Sequence, residues 1–345
     1  MNPLTDPRWL RFVERRQDSS VFHTVGWLQA LNATYNYEPL VYTTSPPEAE
    51  LTNGIVVCSV RSHFTGSRAV SLPFSDHCQP LVDDELSSNA LINYMQLSLD
   101  RNHWRYFELR PRSADGFLES SDVHLSCTDH YVQHSIDLRP SLETLFRKFQ
   151  NGSVQRKIKR AEREHLEYEE GRSERLLCQF YELMILTRRR HGLPPQPLVW
   201  FRNIVRFMRD NITIRMALKD GIPAASILTI SHNQSVVYKY GCSDSKFQNL
   251  GGTALVLWKA IQDAKQAGAL EFDLGRSDAT NVGLIEFKQH WGGKMSALNY
   301  FRYSGRRAAP AVGYRWQQRA VHAVFARMPS SLLTMAGRLL YPHIG

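Results

Sequence analysis

Between Ile212 and Leu274 the chain alternates in a way that few folds accommodate. Runs with strand character at about 212–219, 222–231 and 235–241 come first, the first two joined by Asp220-Gly221, a hairpin turn signal. Gly251-Gly252 then precedes a helix expected over about 252–267, which ends at Gly268, and Leu270-Glu-Phe-Asp-Leu274 returns to strand. Antiparallel hairpins followed by strand, helix and strand call for a mixed sheet covered by helices, an α/β (α+β) arrangement.

The rest of the chain carries the same texture. Trp27 to Tyr35 reads as an amphipathic helix leading into Pro39-Leu-Val-Tyr-Thr, Ile55 to Arg61 as a strand entered through Asn53-Gly54, 84–101 as a helix, and Trp104 to Arg110 as a strand stopped by Pro111. Ser/Asp-rich residues 112–122 read as a loop and Tyr131 to Leu138 as strand. Ser141 is an N-cap for a helix running towards residue 168 with a break near Asn151-Gly152. Helices over about 174–191 and 197–210 follow, and a strand near 297–303 closes the second half. Phe107-Glu108-Leu109 and Phe272-Asp273-Leu274 echo each other: each follows a predicted helix and ends in a strand followed by Arg. Duplication and chance are both open at this point. The expected domains are 1–138, 139–305 and a helical tail over 306–345; 345 residues exceed one domain.

A net charge of +9, from 42 Lys plus Arg against 33 Asp plus Glu, implies an acidic partner such as a nucleic acid, a nucleotide cofactor, a phospholipid surface or a phosphorylated substrate. With 43% hydrophobic residues the chain is not mainly disordered. The start, Met-Asn-Pro-Leu-Thr-Asp-Pro, has neither a basic n-region nor an apolar h-region, and no apolar run approaches the ~18–20 residues of a spanning helix. Five scattered cysteines without a Cys-x-x-Cys pair argue for reduced thiols, and the thirteen His show no ligand spacing. The expectation is a cytoplasmic protein with no metal and no permanently bound cofactor.

Three stretches carry the candidate chemistry. Arg147, Lys148, Arg156, Lys157, Lys159, Arg160 and Arg163 are opposed only by Glu162. At ~100° per residue Arg156, Arg160 and Arg163 share a face opposite Val154, Ile158 and Ala161, so the helix can bury one side and offer cations on the other. A solvated charged face is the alternative; Arg188-Arg-Arg190 is a smaller patch of the same kind. Asn249-Leu-Gly-Gly-Thr-Ala254 precedes a helix, where Gly251 and Gly252 allow backbone N–H groups to approach a phosphate. Phe272-Asp-Leu-Gly-Arg-Ser-Asp278 delivers Asp273, Arg276 and Asp278 to a strand's C-terminal edge, and Lys288 follows in a short helix. A fixed ammonium there would stabilise an acyl-transfer oxyanion, or Lys288 and Arg276 would pair structurally with Asp273, Asp278 or Glu286.

These blocks carry a resemblance. Asn249, Gly252 and Ala254 are similar to the loop with which GNAT acyltransferases hold the coenzyme A pyrophosphate, with Asn in place of a longer first residue. Tyr238-Lys-Tyr-Gly-Cys-Ser-Asp244, Trp258, Gly268, Phe272-Asp-Leu-Gly-Arg276, Gly283-Leu-Ile-Glu-Phe-Lys288 and Trp291-Gly292 together resemble the FemAB-like branch of the GNAT superfamily, as do Ser153 to Glu162 and Trp27 to Leu31. The likeness covers about residues 20–305. It implies two tandem GNAT-like domains and transfer of an acyl or aminoacyl group from acyl-CoA, an acyl carrier protein or aminoacyl-tRNA to an amine of a cell-envelope precursor, a peptidoglycan peptide or amino sugar. By that resemblance Lys288 holds the tRNA end or the transition state, Arg276 follows the family's Asp-x-Gly-Arg pattern, and Tyr238 and Tyr240 border the acceptor cleft. Arg276 and the 156–160 cluster would bind donor phosphates, and Asp273, Asp278 or a water relay would take the amine's proton. The helical arm that some peptidoglycan-bridge enzymes carry is missing, and no Gly-x-Ser-x-Gly nucleophile motif occurs.

Beyond these blocks, Val312 to Met328 and Ser331 to Tyr341 read as helices with Arg306, Arg307, Arg315, Arg319, Arg327 and Arg338 and no acid. That tail either packs on the domain, mediates oligomerisation or lies on the inner face of an anionic membrane. The non-enzymatic alternative for the whole chain is a degenerate GNAT module serving as an RNA- or membrane-binding adaptor.

Overall fold

A computed structural model describes residues 1–113, 125–304 and 315–344, with the backbone alone for 315–320. Most of the loop expected over 112–122, and Arg306 and Arg307 at the start of the tail, lie outside the described residues, as do the side chains of Arg315 and Arg319.

The chain forms two compact units. The first comprises 1–132, 297–312 and 339–345, the second 133–296 and 313–338. The first division falls at 132/133, a few residues before the expected 138/139, and residues from 297 onward leave the expected second domain because strand pairing is not local: Phe301 to Ser304 pair antiparallel with Tyr106 to Leu109.

In the first unit, α1 (Pro7–Arg15) and α2 (Val25–Tyr35) precede β1 (Glu38–Tyr42), β2 (Ile55–Val60) and β3 (Arg68–Val70), which pair antiparallel in turn. The Asp6 carboxylate accepts the Arg8 N–H with Pro7 at the first helical position, a start signal sufficient for α1. Helix α3 (Glu85–Arg101) then crosses over to β4 (Tyr106–Leu109), which lies parallel to β3. The core packs Ile92, Met95, Trp104 and Phe107 beneath α3.

In the second unit the end of β5 (Ser126–Asp137) leads to α4 (Leu142–Lys148), a π-helical turn at 151–155 and α5 (Arg156–Arg163). The single helix expected towards 168 ends early, because Glu167–Gly171 is drawn into β6 by pairing with β7 (Ile212–Lys219). Helices α6 (Glu174–Arg190) and α7 (Leu198–Met208) follow Ser173, whose hydroxyl accepts the Leu176 N–H. Strands β7, β8 (Ile222–His232) and β9 (Ser235–Ser243) are antiparallel, and α8 (Gly252–Gln266) crosses over to β10 (Glu271–Asp278), parallel to β9. Helix α9 (Val282–His290) completes the unit's core elements, and β11 (Lys294–Ser304) belongs from residue 297 onward to the first unit. Arg215 of β7 locks α8 in place through Asp263, at 3.0 and 3.1 Å. α8 buries Leu255, Val256, Leu257 and Ile261 against Phe272, Leu274 and Trp291.

Each unit therefore repeats one plan, antiparallel strands and then a parallel crossover through one helix. Phe107-Glu108-Leu109 on β4 and Phe272-Asp273-Leu274 on β10 occupy the same place in it, and all six residues are buried. The tail forms α10 (Arg315–Arg327) and α11 (Ser330–Ile344).

Candidate functional site

Helix α9 is short and largely exposed, and the one side chain it buries is a lysine. Asp278 accepts the Thr280 N–H and hydroxyl at 2.8 and 2.6 Å, and Asn281 caps Leu284, so the chain turns sharply off the end of β10 into α9. That turn carries Lys288 back under β10, where it is 2% exposed and its Nζ donates to the carbonyls of Gly275 at 2.7 Å and Arg276 at 3.0 Å. Gly275 has φ +74°, a conformation open to glycine, and its N–H donates to Asp273 Oδ1 at 2.7 Å. Asp273 Oδ2 accepts from Gln133 Nε2 at 2.9 Å. Asp273, Gly275 and Lys288 thus form one chain of hydrogen bonds.

Against it lies a residue the sequence did not single out. His134 on β5 is fully buried and neither ring nitrogen has a hydrogen-bond partner. Burial, with the Lys288 ammonium adding to it, pushes its pKa down to about 4, so the imidazole is neutral. A Cβ on Gly293 would crowd the Lys288 carbonyl at 2.9 Å and His134 Cβ at 3.3 Å, so glycine lets the chain lie over the pair. Trp291, also fully buried, has an indole N–H without a partner.

The phosphate-loop candidate meets the basic helix. Gly251 has φ +85° and no side chain caps the first turn of α8. A Cβ at Gly251 would collide with the Lys157 carbonyl, so this glycine is what lets α5 approach. A cavity of about 170 Å³ is lined by Lys157, Ser243, Gly251, Gly252, Phe287 and Trp291, among others. An open groove of about 1030 Å³ beside it is lined by five cations, Arg156, Lys157, Lys159, Arg160 and Arg163, with one acid, Glu162, and His165 and Asn249 among the rest. α5 has the two faces expected: Ile158 and Ala161 are buried and Arg156 and Lys157 exposed. Arg160 pairs with Glu164 at 3.4 Å, while Arg156, Lys157, Lys159 and Arg163 pair with no carboxylate among the described residues.

The two tyrosines part company. Tyr240 pairs with Leu228 but Tyr238 pairs with Thr229, leaving Lys239 as an extra residue, and this bulge sends the side chains to opposite faces. Tyr240, 8% exposed, accepts from Trp200 Nε1 at 2.9 Å beneath α7. Tyr238 packs on the α8 side with its hydroxyl against Gly241. Asp273, expected as a base, is 1% exposed and held through both oxygens, and Asp278 serves the turn; Arg276 is half-buried at the strand edge. No group of three or more His, Cys, Asp or Glu among the described residues could hold a metal.

Residues 147–289 match the family described as the acetyltransferase (GNAT) domain. The fold is similar to that of FemX, with a TM-score of 0.71 at 14% identity over 88% of this chain and 96% of that one. L-PGS from Bacillus licheniformis gives 0.58 at 11% identity over 95% and 99%. A tandem GNAT protein from the clavulanic acid biosynthesis pathway gives 0.57 at 9% over 90% and 98%. No curated protein matches the chain in sequence.

Proposed function

We propose that this chain, an acyltransferase whose residues 147–289 form a GNAT domain, passes an acyl or aminoacyl group from an activated donor to an amine of a cell-envelope precursor by direct attack. The observation that carries the reading is the convergence in one cavity of the basic helix (Lys157), the glycine loop (Gly251, Gly252) and Phe287, the neighbour of Lys288. A donor phosphate sits at the uncapped first turn of α8, where N–H groups and the helix dipole favour an anion. Arg156, Lys157, Lys159 and Arg163, which pair with no carboxylate among the described residues, hold the rest of the donor, with Arg160 tied to Glu164 beside them.

The amine's lone pair attacks the ester or thioester carbonyl, the carbonyl electrons become an oxyanion, and its collapse expels the ribose oxygen or the thiolate as the amine loses a proton. Lys288, aimed by the Gly275 and Arg276 carbonyls, stabilises that oxyanion or the donor phosphate. Asp273 positions the Gly275 turn, so the proton leaves through water.

Aminoacyl-tRNA and an acyl-CoA or acyl carrier protein are the donors that fit the basic groove. FemX and L-PGS, with the same fold, support an acceptor in the envelope, a peptidoglycan peptide, an amino sugar or a lipid-linked amine. A lipid-linked acceptor brings residues 306–345 to the inner face of the membrane. One observation favours a non-catalytic adaptor instead: Lys288 is committed to backbone carbonyls.

Capture of the donor tests the reading. The protein is purified from its host and denatured, and the released ligands are identified by mass spectrometry. A CoA thioester or charged tRNA is expected. Absence of both, with no turnover of either donor, leaves the adaptor.

A further inference from the structure

The two tail helices expose more large apolar side chains than they bury. In α11 only Leu333 and Gly337 are buried, and a Cβ on Gly337 would collide with the Pro195 carbonyl, so the rotation of this helix is fixed by close backbone contact. Leu332, Met335 and Leu339, spaced i, i+3, i+7, form a row on another face and are 47%, 53% and 65% exposed. Arg338 stands exposed beside that row. α10 repeats the arrangement with Val321 and Val324, 47% and 59% exposed, and Arg327. It too is closely seated, since a Cβ on Gly192 would collide with the His322 backbone. Arg189 reaches Ser330 Oγ at 3.5 Å, which brings the Arg188–Arg190 cations to the start of α11.

Charge selects the occupant. Residues 306–345 hold six Arg and no Asp or Glu, so a second copy of the tail would meet like charge across the apolar rows. An anionic lipid surface satisfies both features: acyl chains take the apolar row and phosphate headgroups take the arginines. No described helix is long and apolar enough to cross a membrane, so contact is in the interface plane. We infer that α10 and α11 dock the protein onto an anionic phospholipid surface through Leu332, Met335 and Leu339, with Val321 and Val324 alongside and Arg327 and Arg338 on headgroups. This deepens the reading of a lipid-linked acceptor and rests on it only for its purpose, since docking is independent of which donor is bound.

Co-sedimentation of the full-length protein with vesicles tests it, comparing phosphatidylglycerol mixed with phosphatidylcholine against phosphatidylcholine alone. Wild type is expected on the anionic vesicles only, and Leu332→Glu/Met335→Glu should weaken binding on the order of tenfold or more. Arg327→Gln/Arg338→Gln, which leaves the apolar rows intact, should weaken it by a smaller factor and lower its salt dependence in proportion to the two charges removed. Both variants should keep their circular dichroism and their binding of CoA or tRNA, which separates failure of docking from failure of the donor site. Equal binding of wild type to both vesicle types, or undiminished binding by the Glu variant, overturns the inference. So does a wild-type dimer in sedimentation velocity that the Glu variant dissolves, which would assign the surface to a second copy.

Discussion

Lys288 carries two loads on one ammonium. Its bonds to the carbonyls of Gly275 and Arg276 bridge α9 to β10, and the same charge is the one the proposed chemistry uses. Lys288→Met would strand buried acceptors, at about 1–3 kcal/mol each. Lost turnover in that variant is therefore meaningful only beside its urea midpoint; an unchanged midpoint would show that the ammonium is not a structural bridge. His134 gives a cleaner pH signature. Its folded pKa of about 4 lies below the ordinary 6.5, so the folded protein binds fewer protons than the unfolded chain between those values. The stability that goes with the neutral imidazole is complete above about 6.5 and is lost as pH falls towards 4. The limiting size is roughly 3 kcal/mol. His134→Leu removes two unpartnered buried nitrogens and should flatten the decline over that window; unfolding free energies at several pH values measure it, and parallel curves for the two proteins would refute it.

At the scale of elements, the approach of α5 to α8 depends on Gly251. Gly251→Ala combines a positive φ with a collision against the Lys157 carbonyl, whereas Gly268→Ala has a similar φ of +83° and nothing within 4 Å. The second change should cost about 1–2 kcal/mol from backbone conformation alone. The first should cost clearly more and weaken donor binding, by thermal unfolding and titration; equal losses would mean that α5 yields freely. Glycine explains why this part was readable in sequence: Gly251 and Gly268 bracket α8 within a residue of expectation because both sit at positive φ, which favours glycine. The bulge at Lys239 has no such marker, so Tyr238 and Tyr240 read as neighbours on one face when they are not. β6 is Glu-Tyr-Glu-Glu-Gly and becomes strand only by pairing with β7, a tertiary effect that local propensity does not register. Asp6-Pro7 starts α1 through its cap and first-turn proline, a two-residue signal with no long periodic run behind it in a nine-residue helix. His134 lies in an expected strand, but nothing local says that its ring would meet Lys288 from α9.

Over the whole molecule, the charge is the property that sequence located best and explained least. The +9 concentrates on α5, on Arg188–Arg190 and in the acid-free tail, and sequence order alone places these far apart. What it could not supply was which cations are already spent. Arg147 pairs with Glu143, Arg160 with Glu164 and Arg215 with Asp263, while Arg156, Lys157, Lys159 and Arg163 are left for a ligand among the described residues. Four unspent cations along a groove of about 1030 Å³ exceed what one pyrophosphate engages, and they suit a polyanion backbone. Each phosphate released from its counterions contributes about −0.7 to −0.9 to the slope of log K against log salt, so a tRNA donor should bind with a slope near −3. Arg156→Gln/Arg163→Gln should then reduce the slope by roughly 1.5 units, two phosphate contacts' worth, with little change at the glycine loop. Filter binding of charged tRNA from about 50 to about 300 mM salt, over which the Debye length falls from roughly 14 to roughly 6 Å, reads both numbers. A shallow slope that ignores the double variant would move the donor to the coenzyme A class, held by Gly251 and Gly252 alone, and leave the groove's cations to the solvent.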